Sequence, residues 1–285
     1  MEGKTVLITG ASSGIGLCAA RELSKMGARV LLACRDRARG EAAQAAIARA
    51  GGKGPTELLL ADLSSQQSIR ALAAEVARTQ PRLDVLVNNA GAVNGRRELT
   101  VDGLERTFAT NHLGYFLLTN LLLDLLRRSA PSRIISVASK ADQGGKIDFN
   151  DLMGERRYVG IRAYCTSKLC NVAFTFELAR RLEGSGVTAV AVHPGSVASN
   201  FGMVGGGFLG TLAKLARPFQ ITPEQGADTI IWLASLPDAS AHHGQYLERR
   251  KPIRSVRQAY DTAVQRRLWE ESERLTGLSA AAAAG

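Results

Sequence analysis

A short apolar strand that runs straight into a glycine-rich turn and then a helix start leaves this chain few folds to choose from. Lys4-Thr-Val-Leu-Ile-Thr9 is followed at once by Gly10-Ala-Ser-Ser-Gly14-Ile-Gly16, and an amphipathic pattern continues to about Met26. Glycines let the backbone turn tightly and approach a bulky anion. The unpaired amides and dipole at a helix N-terminus attract that anion's charge. In this strand-before, helix-after setting the turn reads as a phosphate site.

The same alternation continues along the chain. Strands are predicted at 28–34, 57–61, 83–87, 133–139 and 187–192, with a last short one around 245–247. Between and after them, helices are predicted at 38–50, 66–78, 104–128, from before Tyr164 to about Glu183, at 223–235 and at 259–275. This pattern predicts an α/β fold, a doubly wound Rossmann-type parallel sheet of about seven strands flanked by helices. Ligands of such sheets lie beyond the carboxyl ends of the strands. Gly10, Arg35, Asp62 and Asn88 all fall at such ends. Arg35 reads as a clamp for the 2′-phosphate of NADP, with Asp36 as a helix N-cap. The competing reading is a surface salt bridge between those two residues.

Residues 139–164 form a long connection whose middle, 144–155, reads as a loop with a short helix. Residues 200–222 are apolar and punctuated by Gly205-Gly-Gly207. They read either as a lid over a hydrophobic pocket or as a buried helix pair. No repeat or linker divides the chain, so 1–279 is expected to be one catalytic domain. The Ala-rich stretch 280–285 is set aside as a low-complexity tail.

Charge and cysteine usage exclude several function classes. The 36 basic and 26 acidic residues give +10, but the basic residues are scattered and not interleaved with aromatics. A solvated basic surface that suits an anionic cofactor is the better reading, and nucleic acid is not expected as a partner. Cys18, Cys34, Cys165 and Cys170 make no CxxC pair or metal-ligand spacing, and His242-His243 have no matching partners, so no metal is expected. Reduced thiols point to the cytoplasm. No apolar run reaches the roughly 18–20 residues of a spanning helix, so no transmembrane segment is expected.

Tyr164 and Lys168 lie four residues apart on a predicted helix and so share a face. A phenol titrates near ~10, and a neighbouring ammonium would move that value towards the range of a general acid or base. By itself the pair could equally be a core-edge Tyr and a solvated Lys. Asn111 amid apolar neighbours marks either a helix irregularity or a side chain in use. The adjacent His112 reads as a packed or capping histidine.

Together these residues are similar to the motif set of the short-chain dehydrogenases/reductases. The matching positions are Thr9-Gly10-xxx-Gly14-Ile-Gly16, Asp62-Leu63, Asn88-Asn89-Ala90-Gly91, Asn111, Ser139, Tyr164-xxx-Lys168 and Pro194-Gly195-xxx-Ser199. Further stretches, including Ala33-Cys-Arg-Asp36, Asn111-His-Leu-Gly114 and Leu268-Trp-Glu, resemble the retinol dehydrogenase branch. The apolar N-terminal segment of that branch's membrane-anchored members is missing here, so membrane residence is not expected.

The resemblance implies roles. Tyr164 would be the general acid/base, Lys168 would lower its pKa and hold the nicotinamide ribose, and Ser139 would bond the substrate oxygen. Asn111 would support a proton-relaying water. Gly10, Ser12, Ser13, Gly14 and Ile15 would line the phosphates, and Asp62 and Leu63 the adenine. Asn88, Ala90 and Gly91 would line the ribose, with Val197 and Ser199 meeting the carboxamide after the Pro194 turn. The activity implied is NADP(H)-dependent interconversion of a hydrophobic aldehyde or ketone, retinoid-like or lipid, and its alcohol. The alternatives are a non-catalytic NADP(H)-binding scaffold, or a reductase of a steroid, quinone or protochlorophyllide-like pigment. A homo-oligomer formed through the long helices is a further family expectation.

Overall fold

The computed structural model describes residues 1–195 and 221–278. Its strands, β1 (Thr5–Thr9), β2 (Arg29–Cys34), β3 (Thr56–Leu60), β4 (Val85–Asn88), β5 (Ser132–Val137), β6 (Val187–Val192), β7 (Tyr246–Glu248) and β8 (Lys251–Pro252), form one sheet. The order is β3-β2-β1-β4-β5-β6-β7-β8, all parallel except the β7–β8 pair. The eighth strand is the one the sequence did not show. Two residues are too few to carry an alternating pattern.

The helices are α1 (Gly14–Lys25), α2 (Arg37–Arg49), α3 (Gln66–Thr79), α4 (Arg106–Phe108), α5 (Gly114–Arg128), α6 (Gly160–Arg181), α7 (Pro223–Ser235) and α8 (Thr262–Thr276). Both sheet faces are covered, which is why the strands read as unbroken apolar runs. Along β1, Val6 and Ile8 pack with Ala19 and Leu23 of α1 and Ile230 and Leu233 of α7. Leu7, between them, packs on the opposite face with Leu72 of α3, Phe116 of α5 and Phe174 of α6. The strand order reverses at β1 and β4, and a doubly wound sheet opens its ligand crevice at that point.

Two local expectations change. The helix predicted over 104–128 is divided: a π-helical turn, Ala109–Leu113, separates α4 from α5. The short helix expected within 144–155 lies earlier, as a 3-10 turn at Lys140–Gly144 capped by the Ser139 hydroxyl. Downstream of it, Asp148 and Asp151 accept from nearby backbone amides and fold the segment without a helix.

The last helix, α8, packs on α5 and α6. Trp269 lies edge-on to Phe116, with ring centroids 4.9 Å apart, and stacks on Phe174 at 5.8 Å. Arg181 sits over the indole at 4.1 Å. The part of the long helices around Phe116 and Phe174 is thus covered by the same chain rather than left open for a second copy.

Candidate active site

Three glycines of the first turn do different work. Gly10 has φ 67°, and a Cβ there would come 2.8 Å from Ala90 Cα. A Cβ on Gly16 would come 2.5 Å from the Gly10 oxygen, because helix and turn touch there. Gly14, with φ 56°, faces open space. Ser13 is the N-cap residue of α1, but its side chain makes no capping hydrogen bond, so the first-turn amides are not answered by that hydroxyl. An open glycine beside uncapped amides fits a phosphate group. The turn is tied to the end of β4 by Asn89, whose Nδ2 donates to the Thr9 oxygen at 2.8 Å. Thr9 Oγ1 in turn accepts from the amides of Asn89 and Ala90.

Asn88 departs from its expected place. Its side chain is fully buried and donates to Thr119 Oγ1 of α5 at 2.9 Å, pointing into the core and away from the crevice. Only its backbone remains for a ribose. Asp62, at the carboxyl end of β3, is tied locally through Ser64, whose amide and hydroxyl it accepts at 2.9 and 2.8 Å.

At the end of β2, Asp36 caps α2 by accepting the Arg39 amide at 2.8 Å, as the sequence suggested. Arg35 is exposed beside it. The sequence reading missed Arg39, whose guanidinium reaches the Ser13 hydroxyl at 3.3 Å. Its signal was the spacing: four residues beyond Arg35, on the first turn of the capped helix. One cation, Arg39, therefore reaches the glycine turn, while Arg35 stands at the adjoining end of β2.

Asn111 sits in the π-helical turn and is completely buried. Its Oδ1 accepts the Ala92 amide at 2.7 Å, while Nδ2 donates to the Ala92 oxygen at 2.9 Å and to Ser167 Oγ at 3.0 Å. The extra residue of a π-turn re-aims the side chain. Both amide donors are spent on protein, so Asn111 braces the β4 loop against α6. The expected water-carrying role cannot fall to those donors.

Tyr164 and Lys168 project from α6 as expected. The Ser139 hydroxyl faces the Tyr164 phenol and draws its pKa down. Its place is fixed by a frame the sequence did not show. The Lys140 amide donates to His193 Nδ1 at 3.2 Å, and Glu248 on β7 holds Lys140 Nζ at 2.6 Å. Glu248 also lies 3.6 Å from His193 Nε2, and burial lowers the His193 pKa to about 4.

The electrostatics differ from expectation. Lys168 is 3% exposed, and Nζ donates to the Val137 oxygen at 2.9 Å. Burial lowers its pKa from 10.5 to about 7. The phenol of Tyr164 is pushed up to about 12 by burial, against the opposing pull of the Ser139 hydrogen bond. Nζ stands 5.8 Å from the Tyr164 ring centroid. Held on β5 at that distance, Lys168 is not among the groups that draw the phenol down. The depressed tyrosine pKa expected from the sequence is therefore not a property of this protein on its own.

Pro194 and Gly195 follow β6 as expected, with Gly195 at φ 91° and Ile221 close against it. Val197, Ser199 and nearly all of the 200–222 segment lie outside the described residues. Among the described residues no cluster of three or more His, Cys, Asp or Glu is placed to hold a metal ion. No helix among them is long and apolar enough to cross a membrane.

The glycine turn between β1 and α1, with Ser139, Tyr164 and Lys168 after β5 and on α6, defines a class, and comparison with known proteins gives the same class. Residues 4–204 match the short chain dehydrogenase family. The chain belongs to that family, an oxidoreductase family, and to its retinol dehydrogenase-like branch. Retinol dehydrogenase 14 of Mus musculus is 46% identical over 296 residues, covering 98% of this chain and 87% of that protein. Among solved structures, a Mycobacterium Paratuberculosis protein superposes with TM-score 0.79 at 36% identity, over 97% of this chain and 94% of its own. A Burkholderia cenocepacia short chain dehydrogenase in complex with NADP gives TM-score 0.69 at 25% identity, over 87% and 96%.

Proposed function

We propose that this chain is an NADP(H)-dependent oxidoreductase that interconverts a hydrophobic aldehyde or ketone, retinoid-like or lipid, and its alcohol. The observation that carries the reading is the Ser139–Tyr164 hydroxyl pair, backed by Lys168 on the same helix face. A non-catalytic scaffold would need none of these three side chains.

The nicotinamide group, when bound, supplies or accepts the hydride. Gly10, Ser12, Ser13, Gly14 and Ile15 would hold its phosphates, with Arg35 and Arg39 taking the 2′-phosphate. Asp62 and Leu63 would border the adenine, and the Asn88 backbone with Ala90 and Gly91 the ribose. Lys168 would reach the second ribose, and the Pro194 turn would border the nicotinamide.

With a pKa of about 12, Tyr164 is protonated at neutral pH and so donates a proton to the oxygen of a carbonyl being reduced. Ser139 donates a hydrogen bond where negative charge develops on that oxygen. His193 and Glu248 hold Ser139's loop still. A retinoid or lipid carbonyl is supported by the retinol dehydrogenase relative. A cytoplasmic setting is supported by four free cysteines.

The test is loss of NADPH absorbance, with NADH in parallel, against all-trans-retinal, medium-chain aldehydes, a steroid ketone and a quinone. Turnover selective for NADPH and for the long apolar carbonyls is expected, with Tyr164→Phe as the blank. NADPH binding without turnover of any of them would favour the scaffold.

A further inference from the structure

The π-turn that carries Asn111 also carries His112, and nothing in the reaction above uses its imidazole. The ring is fully buried, and burial alone lowers its pKa from 6.5 to about 3, so it is neutral. Its Nε2 lies 2.9 Å from Ser272 Oγ on α8. Ser272 has one hydroxyl proton, which goes to the Leu268 oxygen at 2.7 Å. With the proton placed there, Ser272 accepts and His112 donates from Nε2.

That tautomer leaves a bare lone pair on Nδ1. Asn171 of α6 lies beside the ring, and no hydrogen bond joins the two: His112 Nδ1 is itself buried without a partner. Asn171 is completely buried, and neither carboxamide atom has a hydrogen-bond partner. Buried amides left without partners cost free energy, and an Asn171 amide turned to Nδ1 would satisfy both groups. Its position on α6 matters. Asn111 donates to Ser167, and His112 faces Asn171, one helical turn further on. Two consecutive residues of the π-turn thus meet α6, Asn111 through its bond to Ser167 and His112 edge-on against Phe174.

The far end of this contact is anchored as well. Gln66 and Arg70 of α3 donate to the oxygens of Leu275 and Thr276 at 2.8 and 2.7 Å, fixing the end of α8. Ser272 is 1% exposed.

We propose that Asn171, His112 and Ser272 form an internal strut through which the C-terminal helix holds the Asn111 turn and the Lys168 segment of α6 at their working separation. His112 and Ser272 are then positioning residues, and the kinetic consequence rests on the oxidoreductase reading above. Misplacement of reacting groups by a fraction of an ångström lowers kcat more than cofactor affinity.

Ser272→Ala removes the acceptor and leaves the packing of Trp269 in place. It is expected to lower kcat about five- to tenfold with the KM for NADPH unchanged and Tm within a few degrees of the parent. Trp269→Leu loosens α8 but keeps the strut, and is expected to lower Tm further while leaving kcat unchanged well below Tm. A parent-like kcat in Ser272→Ala, or kcat losses that simply track Tm in both variants, would overturn the positioning role. Nitrogen-15 spectra of the unmodified protein decide the strut without any turnover. A neutral His112 protonated at Nε2 down to about pH 5 is expected. A proton on Nδ1, or a ring that charges between about pH 5 and 7, refutes it. If the parent reduces no carbonyl, the oxidoreductase reading fails and the tautomer alone decides the strut.

Discussion

Lys168 donates its side-chain proton to the main-chain oxygen of Val137 at 2.9 Å, in a pocket where the lysine is 3% exposed. A cation normally held in water is thereby fixed to β5 behind Tyr164. Burial of this kind costs stability, and function-bearing groups commonly carry such a cost.

The cost is measurable through pH. Lys168 titrates near 7 when folded and near 10.5 when unfolded. Below about pH 7 both states hold the proton and the penalty is complete. Between about 7 and 10.5 the unfolded chain binds more protons, so stability rises with pH. Lys168→Met should remove that rise and increase Tm at neutral pH by at least about 2 °C. Thermal denaturation of both proteins from about pH 6.5 to 10 checks this. Parallel curves would mean that Lys168 does not titrate in the window.

Tyr164→Phe deletes the proposed proton donor and leaves the ring. The expected loss is at least ~10²-fold in kcat with NADPH binding retained, the usual scale for a general acid. Stopped-flow turnover beside a direct binding titration separates the two quantities. Near-normal turnover would remove Tyr164 from the reaction.

Arg35→Ala should raise the KM for NADPH about tenfold or more and leave that for NADH little changed, since hydrogen bonds to charged groups contribute about 1.5–3 kcal/mol. Arg39→Ala should act in the same direction more weakly, because Arg39 already spends one contact on Ser13. Equal effects on both cofactors would show that these cations do not read the 2′-phosphate.

Trp269→Leu removes an indole that is 3% exposed and contacts Phe116, Phe174 and Arg181. Loss of stacking and the cavity left behind should destabilise the fold by about 2–3 kcal/mol. Chemical denaturation gives this value. A change below about 0.5 kcal/mol would mean that α8 is only loosely docked.

Much of the site was legible because the signal is local. The glycine turn, the Asp36 cap of α2 and the bounds of β6 and α7 follow from neighbouring residues, since turns, caps and periodicity are set within a few positions. Tyr164 and Lys168 share a helix face by arithmetic alone.

What the sequence by itself determined, then, is the order of elements and which chemistry-bearing side chains stand at strand ends and helix starts. The tertiary structure alone decided which way several of them turn and what charge they carry. Asn88 faces the core because Thr119 of α5 lies beneath it. Asn111 braces Ser167 rather than freeing its amide. Lys140, next to Ser139, is held by His193 and Glu248 from the neighbouring strands β6 and β7, and His112 meets Ser272 across 160 residues. The pKa values of Lys168 and Tyr164 move for the same reason. Burial and partner distance depend on packing between segments remote in sequence, and no local pattern of residues encodes them.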